Sequence, residues 1–314
     1  MEEDILHRNP TIVVPFDGVC DTSRCQDIFV YLRPESNGVA VESALMKGVS
    51  KIPNWQKTVN LVYLANLPGD FLNEKGVVEE HYNTRIKFAR KGKSLFTPYM
   101  KDVFTGFYKI PFTDAKIIGA YNAMLLLGLN EDELFKLWVD LDDMLIINGQ
   151  TIKKIGQYYV VNSDIPSILN KNNKETDIAV MIFRTVLWGK DFYNVILKMT
   201  EVLLEENILH SESQFSHVFH YSKGPFEQIL DAVGFLYDSK GNHLPLDRIR
   251  FFNFLLDKGL SVKEIDHFIK QPLLQFRKED GSLEEKSIFQ VTKDLSYEDS
   301  WKIIQSASAQ VLLK

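Results

Sequence analysis

Two rhythms of apolar residues alternate along this chain. Residues 11–14 and 27–32 are short runs of β-branched and apolar residues. Each stops at turn chemistry, Pro15-Phe16-Asp17-Gly18 after the first and Arg33-Pro34-Glu35-Ser36-Asn37-Gly38 after the second. Between 39 and 49 the apolar positions fall at 41, 44, 45, 48 and 49, the spacing of one helix face. Residues 59–65 return to strand character and close at Leu67-Pro68-Gly69-Asp70, which completes a strand–helix–strand unit. Residues 77–89 predict a helix that runs into Arg90-Lys91-Gly92-Lys93. A strand is expected at 116–121, and 123–129 begins a helix or completes a buried segment. Asn130, with Glu133 three residues on, predicts a capped helix with Leu134, Leu137 and Trp138 on its apolar face. Short strands follow at 144–147, 151–155 and 158–161, separated by Asn148-Gly149 and Gly156. Asn-Gly between apolar runs is a hairpin signal, because both residues tolerate positive φ.

The polar, Asn-rich stretch 162–176 interrupts this pattern and predicts a domain boundary. The expected division is an N-terminal domain over 1–163 and a C-terminal domain over 177–314, with 164–176 as linker. Beyond it a strand is expected at 178–183. An amphipathic helix follows at 191–207, with Val195, Ile196, Met199, Val202 and Leu203 as its buried stripe. A strand at 218–221, a helix at 226–233 and helices at 247–258, 261–269 and 296–312 complete the set. Ser261 and Ser296 stand as caps ahead of Glu264 and Asp299. Turns at 238–242 and 279–282 interrupt, the second joining strands at 274–277 and 287–291. No period of 20–50 residues recurs, which excludes solenoids and propellers. The pattern predicts an α+β fold in two domains, with mixed or antiparallel sheets and helices packed on one face. A ferredoxin-like αβ sandwich falls within that class.

The chain has 314 residues, of which 45% are apolar and 25% charged, ordinary values for a globular protein and not for a disordered or collagenous one. Its 36 Lys and Arg against 42 Asp and Glu give 36 − 42 = −6, so no duplex nucleic acid is expected as partner. The densest apolar run, 123–129, is far short of the roughly 20 residues of a membrane span. Acid in Met1-Glu2-Glu3-Asp4 contradicts a secretory signal, and two cysteines make no disulfide framework. The expected compartment is the cytoplasm.

Anion capture is the chemistry that the residues favour. Ser222-Lys223-Gly224-Pro225 lies between an expected strand and an expected helix, where unpaired N–H groups and the positive end of the dipole attract anions. His220 sits at the same strand end. Arg33 and Lys93 are the other expected anion ligands. Gly92-Lys93-Ser94 is not a phosphate loop, because Lys87 stands where the motif needs its first glycine. It leaves a basic cluster of Arg85, Lys87, Arg90, Lys91 and Lys93. Its bland alternative is a helix end whose cations suit the dipole. His210, His217, His220 and His243 cluster with Glu227 and Asp231 nearby, but residues three apart on a strand point to opposite faces, so no metal site is expected. No nucleotide loop, zinc helix or nucleophile elbow occurs, and no cofactor is expected.

Two family resemblances accompany these residues. Phe16-Asp17-Gly18-Val19-Cys20 resembles the opening of small thiol-oxidoreductase-like proteins that carry Asp-Gly-x-Cys-x-x-Cys. Cys25 comes two residues too late for that motif, so both thiols are read as free. Over 27–129, the order of strand, Arg33-Pro34 turn, helix and strand continues with Glu79-Glu80-His81-Tyr82, Phe96 and Tyr99-Met100. This order resembles the nucleoside diphosphate kinase family, and that resemblance implies a ferredoxin-like sandwich. Arg33 replaces the family's Lys, and Asn162-Ser163-Asp164 lacks the histidine of its His-Gly-Ser-Asp string, so the kinase activity is not carried over.

Two functions remain. The first is a non-catalytic regulatory or assembly protein that binds a partner protein or a small anionic ligand. One of Phe251, Phe252 and Phe254 is then expected to meet a second domain or a partner, since three such positions cannot share one stripe. The alternative is an enzyme acting on a phosphorylated or nucleotide-like small molecule, which requires Arg33, Lys93, His220, Ser222 and Lys223 to converge on one cleft.

Overall fold

The computed structural model describes residues 8–18, 24–171 and 176–313. The chain opens with β1 (Thr11–Val14), β2 (Gln26–Leu32), α1 (Val39–Ser50) and β3 (Val59–Pro68). It continues through β4 (Lys116–Gly119), β5 (Met144–Ile147), β6 (Gln150–Ile155) and β7 (Tyr158–Val161). Then come β8 (Asp177–Thr185), α2 (Gly189–Glu205), β9 (Phe219–Tyr221), α3 (Pro225–Phe235) and α4 (Arg250–Asp257). The last strands are β10 (Leu273–Arg277), β11 (Leu283–Ser287) and β12 (Ala309–Val311). Two compact units form, each from three segments. Met1–Val77, Asn172–Ile265 and Thr292–Trp301 make the first; Val78–Lys171, Asp266–Val291 and Lys302–Lys314 make the second.

The first unit is built on one sheet of order β1-β3-β8-β2-β9, antiparallel at every step. β2 and β3 flank β8 and are joined through α1. β8 and β9 flank β2 and are joined through α2. Two interlocked split β-α-β units give the β-α-β-β-α-β connectivity of ferredoxin-like folds. Every residue of β2 is buried, because both faces of the sheet are covered. Ile28, Val30 and Leu32 pack with α1 and α2 residues such as Leu45, Val195 and Met199. On the other face Tyr31 meets Phe235 of α3 at 4.6 Å between ring centroids. A strand covered on both sides reads as a near-continuous apolar run, as 27–32 does. Gly48 is fixed by packing, since a Cβ there would stand 2.5 Å from the Met199 Cα.

The second unit holds a mixed sheet, β4-β7-β6-β5, with β4 and β7 parallel, and an antiparallel sheet, β11-β10-β12. Tyr159 and Val161 face a core with Phe88, Phe96 and Phe104. Val160 faces another with Ile86, Ala120 and Leu134. Asn148 (φ 51°) and Gly149 (φ 76°) form the expected hairpin turn, and the capping box at Asn130 and Glu133 is complete on both sides.

One passage of the chain between the units falls within 164–176, at Lys171/Asn172, but each unit also takes segments from both sides of it. Residues 165–170 are a helix of the second unit, 172–175 lie outside the described residues, and β8 then enters the first unit's sheet between β3 and β2. The apolar content of 178–183 is that of a central strand, which must find partners on both edges; they come from before the expected boundary. The expected helix over 77–89 is two helices, Val77–His81 and Asn83–Lys91. The helix expected over 296–312 stops at Ser306 and gives way to β12. The hairpin's second strand begins at Leu283 instead of 287. A helix at Pro98–Tyr108 was not anticipated, though Thr97 as its cap and Pro98 in its first turn are a regular start. Among the described residues no helix is long and apolar enough to cross a membrane.

Candidate functional site

The pairing of β2 with β9 sets Tyr31 opposite His220 and joins the Ser222 N–H to the Phe29 carbonyl. Strand alternation therefore presents Phe29, Tyr31, His220 and Ser222 on one face. Glu227 and Asp231, one turn apart on α3, meet that face. The His220 ring stacks on Tyr31 at 4.8 Å with 28° between planes. Its Nε2 lies 3.9 Å from Asp231 Oδ2 and 4.0 Å from Glu227 Oε1. Ser222 Oγ donates to Asp231 Oδ2 at 2.6 Å and accepts the Phe29 N–H at 3.1 Å. Arg33 sits 5.9 Å over the Tyr31 ring and donates Nε–H to the Ser216 carbonyl at 3.3 Å.

Burial pushes both carboxyls above the usual range. Asp231 goes further, because the charge of Glu227 adds to burial, against the Ser222 hydroxyl and the cations Arg33 and Lys223. Glu227 is raised by burial and held back by the Lys223 N–H and by Lys223 and Lys293. The result is a pair of carboxyls, each with a raised pKa, beside an imidazole. It is not a nucleophile site. An activated serine is hydrogen-bonded to a base that is open to substrate. Here the Ser222 proton is committed to Asp231, and the residue is 1% exposed.

Of the expected anion ligands, Arg33, His220 and Ser222 gather around Asp231. The Lys223 side chain is exposed, while its N–H donates to Glu227 Oε2 and its carbonyl accepts the Asp294 N–H. Gly224 is dictated by packing, since a Cβ would stand 2.6 Å from the Thr292 carbonyl oxygen. The Glu227 carboxylate thus folds back beside the start of α3, where the sequence suggested an external anion. Lys93 lies in the second unit. Its ammonium donates to the carbonyls of Thr113 (2.9 Å) and Ala115 (3.1 Å), over the Phe112 ring. Arg85 pairs with Asp164 at 2.8 Å and Arg90 covers Tyr121, so these cations of the basic cluster serve local packing. His243 lies within hydrogen-bonding distance of the Ala232 and Val233 carbonyls. Among the described residues no group of three or more His, Cys, Asp or Glu is placed to hold a metal ion. Cys25 is buried; Cys20 lies outside the described residues.

In the sequence Glu227 and Asp231 stand only as carboxylates near a histidine pair. The signal for their role was their spacing: four apart on a helix that directly follows a strand with His and Ser at alternate positions. Phe251 and Phe252 are buried, with Phe251 against Phe226 and Tyr297, and Phe254 is only half-buried.

A second feature lies in the second unit. Leu145 and Ile147 of β5 point into the core, whereas Ile146 alternates to the opposite face and is 59% exposed; β5 is the sheet edge. Lys153, opposite Met144, donates its ammonium to the Leu137 carbonyl at 2.9 Å and so draws 137–141 toward this face. Burial lowers the pKa of Lys153. Trp138 and Leu141 in that segment are 80% and 79% exposed, with the exposed carboxylates of Asp140 and Asp142 beside them.

No family model, curated protein or solved structure matches the chain. The ferredoxin-like connectivity also differs from the one the kinase resemblance implied. Its second half comes from 177–221, whereas His81, Phe96 and Tyr99 belong to the second unit.

Proposed function

We propose that the chain is a non-catalytic, cytoplasmic protein that binds a partner protein along the β5 edge of its second unit. The observation that carries this reading is the exposure of Trp138, Leu141 and Ile146 around an edge strand. Contiguous apolar surface costs free energy in water and is characteristic of interaction sites. An edge strand adds backbone groups for pairing with an incoming segment. Asp140 and Asp142 beside the apolar side chains favour a partner segment that mixes basic and apolar residues.

The His220 cluster supports the non-catalytic half of the proposal. Its serine is buried and bound to a carboxyl, and the Lys93 ammonium is occupied by two carbonyls. Glu227 already holds the Lys223 N–H that an external anion would seek.

The test is quantitative retention of a defined partner from extract of the source cells by the immobilised chain. Ile146→Asp and Leu141→Asp should each abolish retention and leave the circular dichroism and melting temperature unchanged, since both side chains are exposed. His220→Ala should retain the partner. Equal retention by the Ile146→Asp chain overturns the reading.

A further inference from the structure

The first unit contains a cavity of about 570 Å³ bordered by Arg24, Val186, Trp188, Phe254, Tyr297 and Glu298. That is within the volume range of small-molecule sites. Three aromatic rings meet there from separate parts of the chain: Trp188 from the turn between β8 and α2, Phe254 from α4, and Tyr297 just after the Ser296 cap. The Trp188 and Tyr297 planes are perpendicular, with centroids 4.9 Å apart. Phe254 tilts 45° to Tyr297 at 5.6 Å. Two of the rings are tethered at their polar ends. The Trp188 Nε1–H donates to the Arg24 carbonyl at 3.1 Å, and the Tyr297 hydroxyl donates to Gln228 Oε1 at 3.0 Å.

Two of the lining residues, Phe254 and Glu298, already hold an ammonium group between them. Lys258 Nζ stands 5.0 Å over the Phe254 ring and donates to both Glu298 carboxylate oxygens, at 2.9 and 3.0 Å. An aromatic face and a carboxylate thus converge on a point where a cation sits. The attraction between a cation and a ring face is greatest for cations that are cheap to desolvate, and methylated ammonium groups are the cheapest. A quaternary ammonium also has no N–H to satisfy, and this cavity is lined mainly by rings and Val186.

We propose that this cavity binds a small quaternary ammonium compound, its head against Trp188, Tyr297 and Phe254 and its charge balanced by Glu298. The Lys258 ammonium is the internal competitor for that carboxylate. Arg24 on the rim favours a ligand with an anionic group beside the quaternary head. The site lies in the first unit and does not depend on the partner surface at β5.

Calorimetric titration of the full chain with tetramethylammonium, choline, betaine and 3,3-dimethylbutanol, the uncharged isostere of choline, tests the assignment. Choline should bind at least about tenfold more tightly than the isostere, and Trp188→Ala or Phe254→Ala should weaken it by about tenfold. Glu298→Gln, at an exposed position that does not threaten the fold, should weaken it as well. Lys258→Ala should strengthen it. Betaine should bind more tightly than tetramethylammonium, and Arg24→Ala should erase that difference; equal affinities in the unaltered chain overturn the role of Arg24. Equal binding of choline and its isostere, or no binding of tetramethylammonium, choline or betaine to the Lys258→Ala chain, overturns the site.

Discussion

Ser222→Ala isolates the polar centre of the first unit. The Ser222 hydroxyl does two jobs at once, accepting the Phe29 N–H and donating to Asp231 Oδ2, and both Ser222 and Asp231 are buried. Alanine preserves the volume and the strand but leaves two buried polar groups without that partner. Each such loss costs about 1–3 kcal/mol, with bonds to a charged group at the upper end. Because the two share one oxygen, the expected cost is about 3 kcal/mol rather than the full sum. Urea unfolding at pH 8, read from the midpoint at constant m, gives that cost. The serine bond favours the ionised form of Asp231, whose pKa stands well above the usual value through burial and Glu227. The cost must therefore be larger above the folded-state pKa of Asp231 than below it, where protonation makes the bond less important. A loss under about 0.5 kcal/mol, the scale of an ordinary surface change, or a loss independent of pH would refute the reasoning.

Three further outcomes follow from the same packing. A carboxyl raised in the folded state contributes most stability below its unfolded pKa and loses it as pH rises through the folded value, so Asp231→Asn should raise the melting temperature at pH 8 and flatten the decline between acid and neutral pH; a thermal-shift series across pH checks this. Asp27 and Arg184 form an ion pair at 2.8 Å, at 0% and 5% exposure, and Asp27→Ala should cost about 3–5 kcal/mol in chemical unfolding because it strands a buried guanidinium charge. Gly224→Ala places a methyl group 2.6 Å from the Thr292 carbonyl oxygen and should destabilise by about 1–3 kcal/mol in the same assay, with no change in ligand behaviour.

The local elements were legible wherever pattern and punctuation agreed. Residues 144–161 show this well: three short strand-forming runs, one Asn-Gly turn and one lone glycine dictate the hairpins by themselves. Long-range organisation was hidden. The run at 178–183 looks the same whether its neighbours precede or follow it, and both of its partner strands come from before the polar stretch. The site was half visible. His220 and Ser222 were identified from their place at a strand end. Their carboxyl partners were not, because what draws Glu227 and Asp231 inward is the packing of α3 onto β2. The Trp188 cavity had no sequence signal, since its three rings lie far apart in the chain and meet only through the fold.

Site-specific photo-crosslinking tests the partner surface most directly. A benzophenone side chain at position 138 is compared with one at position 39 in the first unit, since Trp138 and Val39 are equally exposed, at 80% and 79%. The account predicts one adduct of defined mass from position 138, lost with Ile146→Asp, and none from position 39. Equal adducts from both positions, or an adduct at 138 that survives Ile146→Asp, would contradict it.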